Sequence, residues 1–563
     1  MTATARPEPR PTPTPTAFQT HHQTLTQHAH ASSQAHDRQH AAAAPASSAA
    51  IPGAAVIMVT WNRAREVRRA IESVLAQRGV DPSAIHLVVV DNASTDGTTD
   101  ALAAWLRPER LVRNETESAH EPAFDIQYTD DSNTVGLASI TLVRNAANLG
   151  GTGGFNTGFQ AVDQVLAKDA SIDFLWLLDD DAVADAHALA SLLRTAEEDP
   201  HAGLVGSRAV DIADRRTTYE TTIYYDPHQG RMAETPHAGH RLEAAHNDWI
   251  SDVGNSRGDH RFSGVREVDV VSACSMLARR SVVQEVGYWD SRYFIYCDDA
   301  DWCLRVGRAG YRVVCDLDAV VYHTPWFQKL TPTRLYYAQR NAIWTMRKGL
   351  AGAALRASTA RWMVSVLRAS LAASLRRRRF HAEILRRTAL DAITNRAGRL
   401  DAAEPPHEPI ADAIARLHLD RPDARLAFLC MTDDQVELAR TIKASLRDRL
   451  ASRCPIFVTI VRHDAGAGDV TYAPTTRSRI SRQLPFLTNP PDACVVLNNT
   501  NDFPLARCAV TLHVDHRDPE RCQAEHDRIP SRVAFLARWS TTAARAAWYV
   551  LRNAPQAPSA PFG

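Results

Sequence analysis

The chain has 563 residues, 45% of them hydrophobic and 23% charged, with Lys+Arg and Asp+Glu balanced at 64 each. This balance sets up no global field for nucleic acid, and the length suggests roughly two to four domains. Nine scattered cysteines without a C-x-x-C pair argue against a disulfide framework or structural zinc, and no apolar run approaches the ~20 residues of a membrane span.

Residues 1–50 are Ala, Pro, Thr, Ser, Gln and His with almost no large apolar side chain. Such a segment buries too little surface to offset its ordering entropy, so a disordered tail is expected. Its histidines lack regular spacing and read as compositional rather than metal-binding. No signal-peptide core precedes the first ordered run.

Order is expected from Ala54 to Thr60, a strand, followed by Trp61-Asn62-Arg63 and a helix through Ile71, Val74 and Leu75. A second strand, His86 to Val90, ends in Asp91-Asn92-Ala93-Ser94-Thr95-Asp96-Gly97-Thr98. Strand, helix, strand is a right-handed βαβ unit. Asp91 at the strand end suits a base or ribose hydroxyl; alternatively, Asp91 and Asp96 shape the turn and cap a helix.

A third strand around Ile140–Arg144 leads to Asn148-Leu149-Gly150-Gly151-Thr152-Gly153-Gly154-Phe155. Glycines let a backbone approach a ligand, and a following helix offers free N–H groups to an anion. The G-K-[ST] ending of a P-loop is absent.

Phe174-Leu175-Trp176-Leu177-Leu178 then runs straight into Asp179-Asp180-Asp181. A short, wholly apolar run reads as a strand of a parallel sheet, and its C-terminal end is where such sheets bind ligands. Three adjacent carboxylates call for a positive partner, and a divalent cation bridging them to a phosphate fits best. A solvated acidic turn is the plain alternative.

Residues 211–266 are polar and expected to form a lid or substrate surface. Trp249 within them reads equally as a sugar platform or a packing anchor. Further on, Tyr296-Cys297-Asp298-Asp299-Ala300-Asp301-Trp302 opens a helix, where acidic charge suits the dipole. Asp298 as N-cap and Asp301 paired with Arg305 are local readings that leave Asp299 for the site. Val313–Cys315 and Ala319–Tyr322 read as separate strand pieces, the second ending in His323, a candidate metal ligand.

The order of these motifs, V-T-W-N, V-V-V-D-N-A-S-T-D-G-T, N-L-G-G-T-G-G-F-N, L-L-D-D-D-A, Y-C-D-D-A-D-W-C-L-R and V-V-Y-H, resembles family 2 glycosyltransferases of GT-A fold over about residues 54–345. Its branch looks similar to galactofuranosyltransferases and related rhamnosyltransferases. The resemblance implies inverting transfer from a nucleotide-diphosphate sugar, usually UDP-linked, with Mn2+ or Mg2+. It implies that Thr60, Asn62 and Asp91 hold the nucleoside. Asn148, Gly150, Gly151, Gly153 and Gly154 would line the nucleotide-sugar pocket. Asp179 and Asp180 would face the donor, Asp179, Asp181 and His323 would bind metal, and Asp299 would be the catalytic base. Tyr336-Tyr337 and Arg340-Asn341 match a helix of these relatives without an assigned role. Cys297 stands where the galactofuranosyl branch tends to carry Trp, which leaves the acceptor open.

Beyond residue 345, Leu355, Trp362, Met363, Val366, Leu367, Leu371 and Leu375 recur at helical spacing beside Arg356, Arg361, Arg368 and Arg376 to Arg379. This basic amphipathic helix either packs on the catalytic domain or touches an anionic membrane through 355–379. Strand-like runs at 426–430, 456–461, 493–497 and 510–514 suggest a smaller α/β domain, and the last ten or so residues read as frayed. The expected organisation is a tail over 1–50, a GT-A domain over 51–345, a helical segment and linker over 346–405, and a small α/β domain of unassigned role over 406–563. A cytoplasmic protein is expected, peripheral at the inner membrane face in the case where the 355–379 helix touches membrane. A nucleotidyltransferase is disfavoured because no Gly-rich basic loop follows the first strand. A non-catalytic nucleotide-sugar or glycan-binding scaffold is disfavoured because the acidic positions are all present.

Overall fold

The computed structural model describes residues 53–117, 121–129, 135–166, 171–255, 262–402, 404–430, 433–461, 470–472, 491–497, 510–515, 518–526 and 529–552. The tail expected over 1–50 and the last residues expected to fray lie outside the described residues.

The first sheet begins with β1 (Ala54–Thr60), helix α1 (Ala64–Leu75), β2 (Ile85–Asp91), α2 (Thr98–Leu106), β3 (Arg110–Asn114), β4 (Phe124–Tyr128) and β5 (Ser139–Asn145). It continues through α3 (Gly150–Ala161), β6 (Phe174–Asp179), β7 (Val183–Ala184), α4 (Ala188–Glu198), β8 (Ala202–Asp211) and β9 (Thr218–Glu220). A hairpin, β10 (Tyr224–Asp226) and β11 (Arg231–Ala233), and α5 (Glu243–Asn255) precede β12 (Val265–Val268), β13 (Ser275–Arg279), α6 (Arg280–Val286), α7 (Asp298–Arg308) and β14 (Arg312–His323).

The strand order is β12-β14-β8-β13-β6-β1-β2-β5-β3-β4, with β7 on β14 and β9 on β8. β6, β1, β2, β5 and β3 run parallel, while β13 lies antiparallel between β6 and β8. The centre is buried on both faces, which explains why its strands read as unbroken apolar runs. Val56, Met58, Trp176 and Leu178 enter one core. Ile57, Leu175 and Leu177 enter the other, with Phe159 and Trp302. The expected mixed α/β class with a mainly parallel sheet is found.

One sequence reading needs correction. The pieces at 313–315 and 319–322 are one strand, β14, whose register against β8 shifts between Asp316 and Val320. That irregularity breaks the alternation a continuous strand would show. Residues 211–266 carry β9, the hairpin and α5. Trp249 is partly buried against the second core with the Arg266 guanidinium 5.2 Å from its ring centre.

After β14, α8 (Pro332–Gly349), α9 (Gly352–Leu375) and α10 (Arg379–Thr394) pack together. The apolar stripe of α9, with Trp362, Met363, Val366 and Leu367, is buried in this helical core. The membrane contact expected through 355–379 therefore does not use that stripe. The second sheet follows a short β15 (Glu408–Pro409) and α11 (Ile410–Arg416). It contains β16 (Arg425–Cys430), α12 (Asp433–Leu450), β17 (Ile456–Val461), β18 (Val470–Tyr472), β19 (Ala493–Val496), β20 (Val510–Val514) and β21 (Arg521–His526). Its order is β15-β21-β20-β19-β16-β17-β18, parallel from β20 to β18. The last described helix, α13 (Ile529–Arg552), returns to pack on α9 and α10.

Candidate active site

Register brings the first site residues together. Thr60 pairs with Asp91, and Val59 with Asp179, so three neighbouring parallel strands end at one level. The crevice outside such strand ends is where α/β sheets take ligands. Across it, the 272–274 stretch joins the two acidic clusters. The Cys274 carbonyl accepts from the Asp179 amide at 3.2 Å, and the Ala273 amide donates to Asp299 Oδ2 at 3.4 Å.

Asp179, Asp181 and His323 each offer a ligand atom within 4.8 Å of the others. His323 Nε2 lies 3.1 Å from Asp181 Oδ1 and 3.6 Å from Asp179 Oδ2. Tyr219 Oη is 2.7 Å from His323 Nδ1, which fixes the ring and leaves Nε2 facing the carboxylates. Two carboxylates and one imidazole form a donor set suited to a divalent cation. Their charge is balanced from the protein side. Lys329 Nζ sits 2.7 Å from Asp181 Oδ2, and Arg63 Nη1 bridges Asp180 and Asp181 at 2.9 Å each. Burial alone would raise Asp181, but hydrogen bonding and charge from His323, then Lys329 and Arg63, hold it well below the usual carboxylate range. Asp180 is buried against Arg63, and desolvation pushes it up to about 7.

Asp299 sits in the first turn of α7. Burial raises its carboxyl above the ordinary range, and the Asp179 charge adds to this against the backbone N–H groups of Ala300, Ala273 and Asp299 itself. Asp298 accepts from Thr152 Oγ1 at 2.6 Å, and burial followed by Asp299 pushes it up to about 7. It is the first helical residue; the N-cap position belongs to Cys297. Asp301 does pair with Arg305, at 3.2 Å, as expected.

The loop before Asp298 is strained and held. Phe294, Tyr296 and Cys297 all have positive φ, near 68°, 67° and 60°. Non-glycine residues adopt that region only when their surroundings enforce it. Asn341 Nδ2 donates to the carbonyls of Tyr293, Ile295 and Tyr296 at 2.9, 2.8 and 2.8 Å. Arg340, fully buried, donates to the carbonyls of Arg292 and Tyr293. The Y-Y-x-x-R-N helix thus holds the loop that presents Asp299.

The other predicted residues are more structural. Asn62, at φ 54°, accepts from Thr95 N at 2.7 Å and donates from its backbone to Ser94 Oγ at 2.8 Å. Asp91 accepts from Thr99 Oγ1 and the Ser94 amide, which is the turn-shaping alternative. Asn148 Oδ1 accepts from Gly150 N at 2.9 Å. Gly150, Gly151, Gly153 and Gly154 begin α3 rather than a free loop. Gly150 has φ +76°, and a Cβ there would lie 2.1 Å from the Phe294 carbonyl oxygen. A Cβ at Gly154 would lie 2.3 Å from Val59 Cγ1, so Gly154 serves helix-to-strand packing.

Arg63, Tyr219, Glu220 and Lys329 escaped the sequence reading. Burial, then the neighbouring Asp299 and Glu234 charges, push Glu220 up to about 8. Arg63 follows the T-W-N strand end and had a signal there. The other three lie in polar stretches with no spacing to mark them.

Residues 55–126 match the family model for glycosyl transferase family 2, and residues 132–347 match a second, glycosyltransferase-like family 2. The chain carries a family 2 glycosyltransferase domain. Comparison with curated proteins gave no match. Among solved structures, this transferase is similar to GalNAc-T7 with UDP, GalNAc and Mn2+, at 12% identity over 52% of this chain and 47% of that one, TM-score 0.36. It is also similar to S. aureus TarS 1-349 in complex with UDP, at 13% identity over 52% and 65%, TM-score 0.31. A third is the mannosyltransferase PcManGT from Pyrobaculum calidifontis with GDP-Man and Mn2+, at 16% identity over 71% and 86%, TM-score 0.34. The chain spans about half the length of the first of these, and scores this low carry nothing about substrate. No described helix is long and apolar enough to cross a membrane.

Proposed function

We propose that this transferase moves a sugar from a UDP-linked donor to a glycan or lipid-linked acceptor with inversion, galactofuranose and rhamnose being the candidate sugars. One observation carries the reading: Asp179, Asp181 and His323 converge within 4.8 Å, and the 272–274 stretch joins them to the half-buried Asp299.

Asp179, Asp181 and His323 would hold Mn2+ or Mg2+, which would supply Lewis-acid stabilisation to the departing nucleoside diphosphate. Arg63 and Lys329 add protein charge at the same place. Thr60, Asn62 and Asp91, at neighbouring strand ends, suit the nucleoside. The acceptor hydroxyl forms its new bond to the anomeric carbon as the bond to the diphosphate oxygen breaks. Its proton passes to Asp299, whose burial makes it a stronger base than an exposed carboxylate. A single displacement of this kind inverts the anomeric centre.

The test is a panel of UDP-, GDP- and dTDP-sugars, scored for metal-dependent hydrolysis and thermal stabilisation. UDP-sugars should raise the melting temperature only with Mn2+ or Mg2+ present. Stabilisation by none of the panel would overturn the reading.

A further inference from the structure

Helix α13 has two apolar faces, and among the described residues one of them is packed against other helices. Phe535, Thr542 and Ala546 are buried, Trp539 and Ala543 partly so, against α9 and α10. Trp539 Nε1 donates to the Leu367 carbonyl at 3.1 Å. On the opposite side Val533, Leu536, Ala544, Ala547, Trp548 and Leu551 recur at helical spacing, and all are exposed. Val533 is 63%, Trp548 58% and Leu551 75% exposed. The water-facing side of a packed helix ordinarily carries charge. Here three of the helix's four arginines, the exposed Arg538, Arg545 and Arg552, keep to one margin, with the Arg552 guanidinium 4.6 Å from the Trp548 ring centre, and the half-buried Arg532 lies on the other.

Neighbouring α9 continues the pattern. Its exposed side alternates Val364 and Leu375 with Arg356, Arg361 and Arg368. The two helices together hold seven arginines and no Asp or Glu. A second copy of the chain seated on this face would set arginine against arginine. An acidic planar surface answers both features, since arginines pair with phosphates while Trp and Leu enter the boundary below them.

We propose that α13, with the outer side of α9, lies on an anionic lipid bilayer. The contact places Val533, Leu536, Trp548 and Leu551 at the headgroup–acyl boundary and Arg356, Arg368, Arg545 and Arg552 at the phosphates, while Arg538 pairs with Glu383 at 3.5 Å and Arg361 donates to the His228 carbonyl at 3.1 Å. It is peripheral, because neither helix spans a membrane. It stands apart from the donor reading and holds whichever sugar is transferred.

The full chain is floated with vesicles of phosphatidylcholine alone or mixed with phosphatidylglycerol. Binding is expected to the mixed vesicles and to weaken as salt rises. The double variant Trp548→Ser/Leu551→Ser should bind at least about tenfold more weakly. Its melting temperature should be unchanged, because both side chains face water. Arg545→Glu/Arg552→Glu should lose binding to the mixed vesicles similarly. Equal binding of wild type and both variants would overturn the proposal. So would absence of binding at low salt, or a wild-type dimer that Trp548→Ser dissociates without any vesicle contact.

Discussion

Lys329 holds its ammonium 2.7 Å from an Asp181 carboxylate oxygen, and the same Nζ is 2.7 Å from His323 Nε2. A lysine therefore stands between two of the groups that would bind a dication. The two cations compete for the same electron pairs. Lys329→Met should tighten Mn2+ binding by about tenfold, the scale of a partly buried ion pair. Calorimetric titration of Mn2+ into both proteins, without donor, reads this directly. Unchanged or weaker binding would show that the ammonium leaves at no cost.

Asp299→Asn keeps the shape of the site and removes its proton acceptor. Transfer should fall by about 10^2- to 10^4-fold, the usual contribution of a positioned base. Affinity for UDP and Mn2+ should stay within experimental error, because the metal-binding groups are untouched. Turnover measured beside calorimetry separates the two effects, and retained turnover would remove Asp299 from the role.

Asn341→Ala strips one donor group from three carbonyls of a loop that already bears three positive-φ residues. The side-chain amide has two hydrogens to share among these carbonyls, and each hydrogen bond lost costs about 1 kcal/mol or more, so the free energy of unfolding read from a urea titration should fall by about 2 kcal/mol. Turnover should fall further than donor affinity, because the loop presents Asp299 rather than the metal ligands. A variant with normal stability and turnover would show that the loop keeps its shape unaided.

Acid stability should depend on His513. Burial, then the nearby Arg378, pushes its imidazole down to about 3, while the unfolded chain titrates near the ordinary 6.5. Between those values the unfolded state binds the extra proton, so stability falls as pH drops through 6.5 and continues to fall toward 3. The slope is at most about 1.4 kcal/mol per pH unit for one group. His381, pushed down to about 4 by burial and then Arg378, acts in the same direction. Denaturant melts at pH 7 and pH 5 should show a smaller difference for His513→Leu than for wild type.

The site was legible where strand chemistry marked it. Apolar runs ending in Asp91 and Asp179 announce parallel strands and their ligand-facing ends, and the register puts them level. His323 was found because it ends a strand. Lys329 was not, because nothing in the six residues after His323 has a period. Tyr219 and Glu220 lie on a three-residue strand, too short to alternate visibly. Arg340 and Asn341 were seen as a motif, but their purpose depends on a loop 45 to 48 residues earlier, a relation only the fold supplies. Helix α13 was missed for a similar reason. Its buried face is defined by α9 and α10, more than 130 residues earlier in the chain, a relation only the fold supplies.

The return of α13 to α9 and α10 also sets an order of events in synthesis. Leu367, Met363 and their neighbours emerge more than 150 residues before Phe535 and Trp539, which cover them. Until residues 529–552 leave the ribosome, the helices beside the transferase sheet carry a bare greasy seam. Chaperone occupancy during translation should therefore persist on this seam well after the first sheet is complete, and a chain cut before residue 529 should keep it open for good.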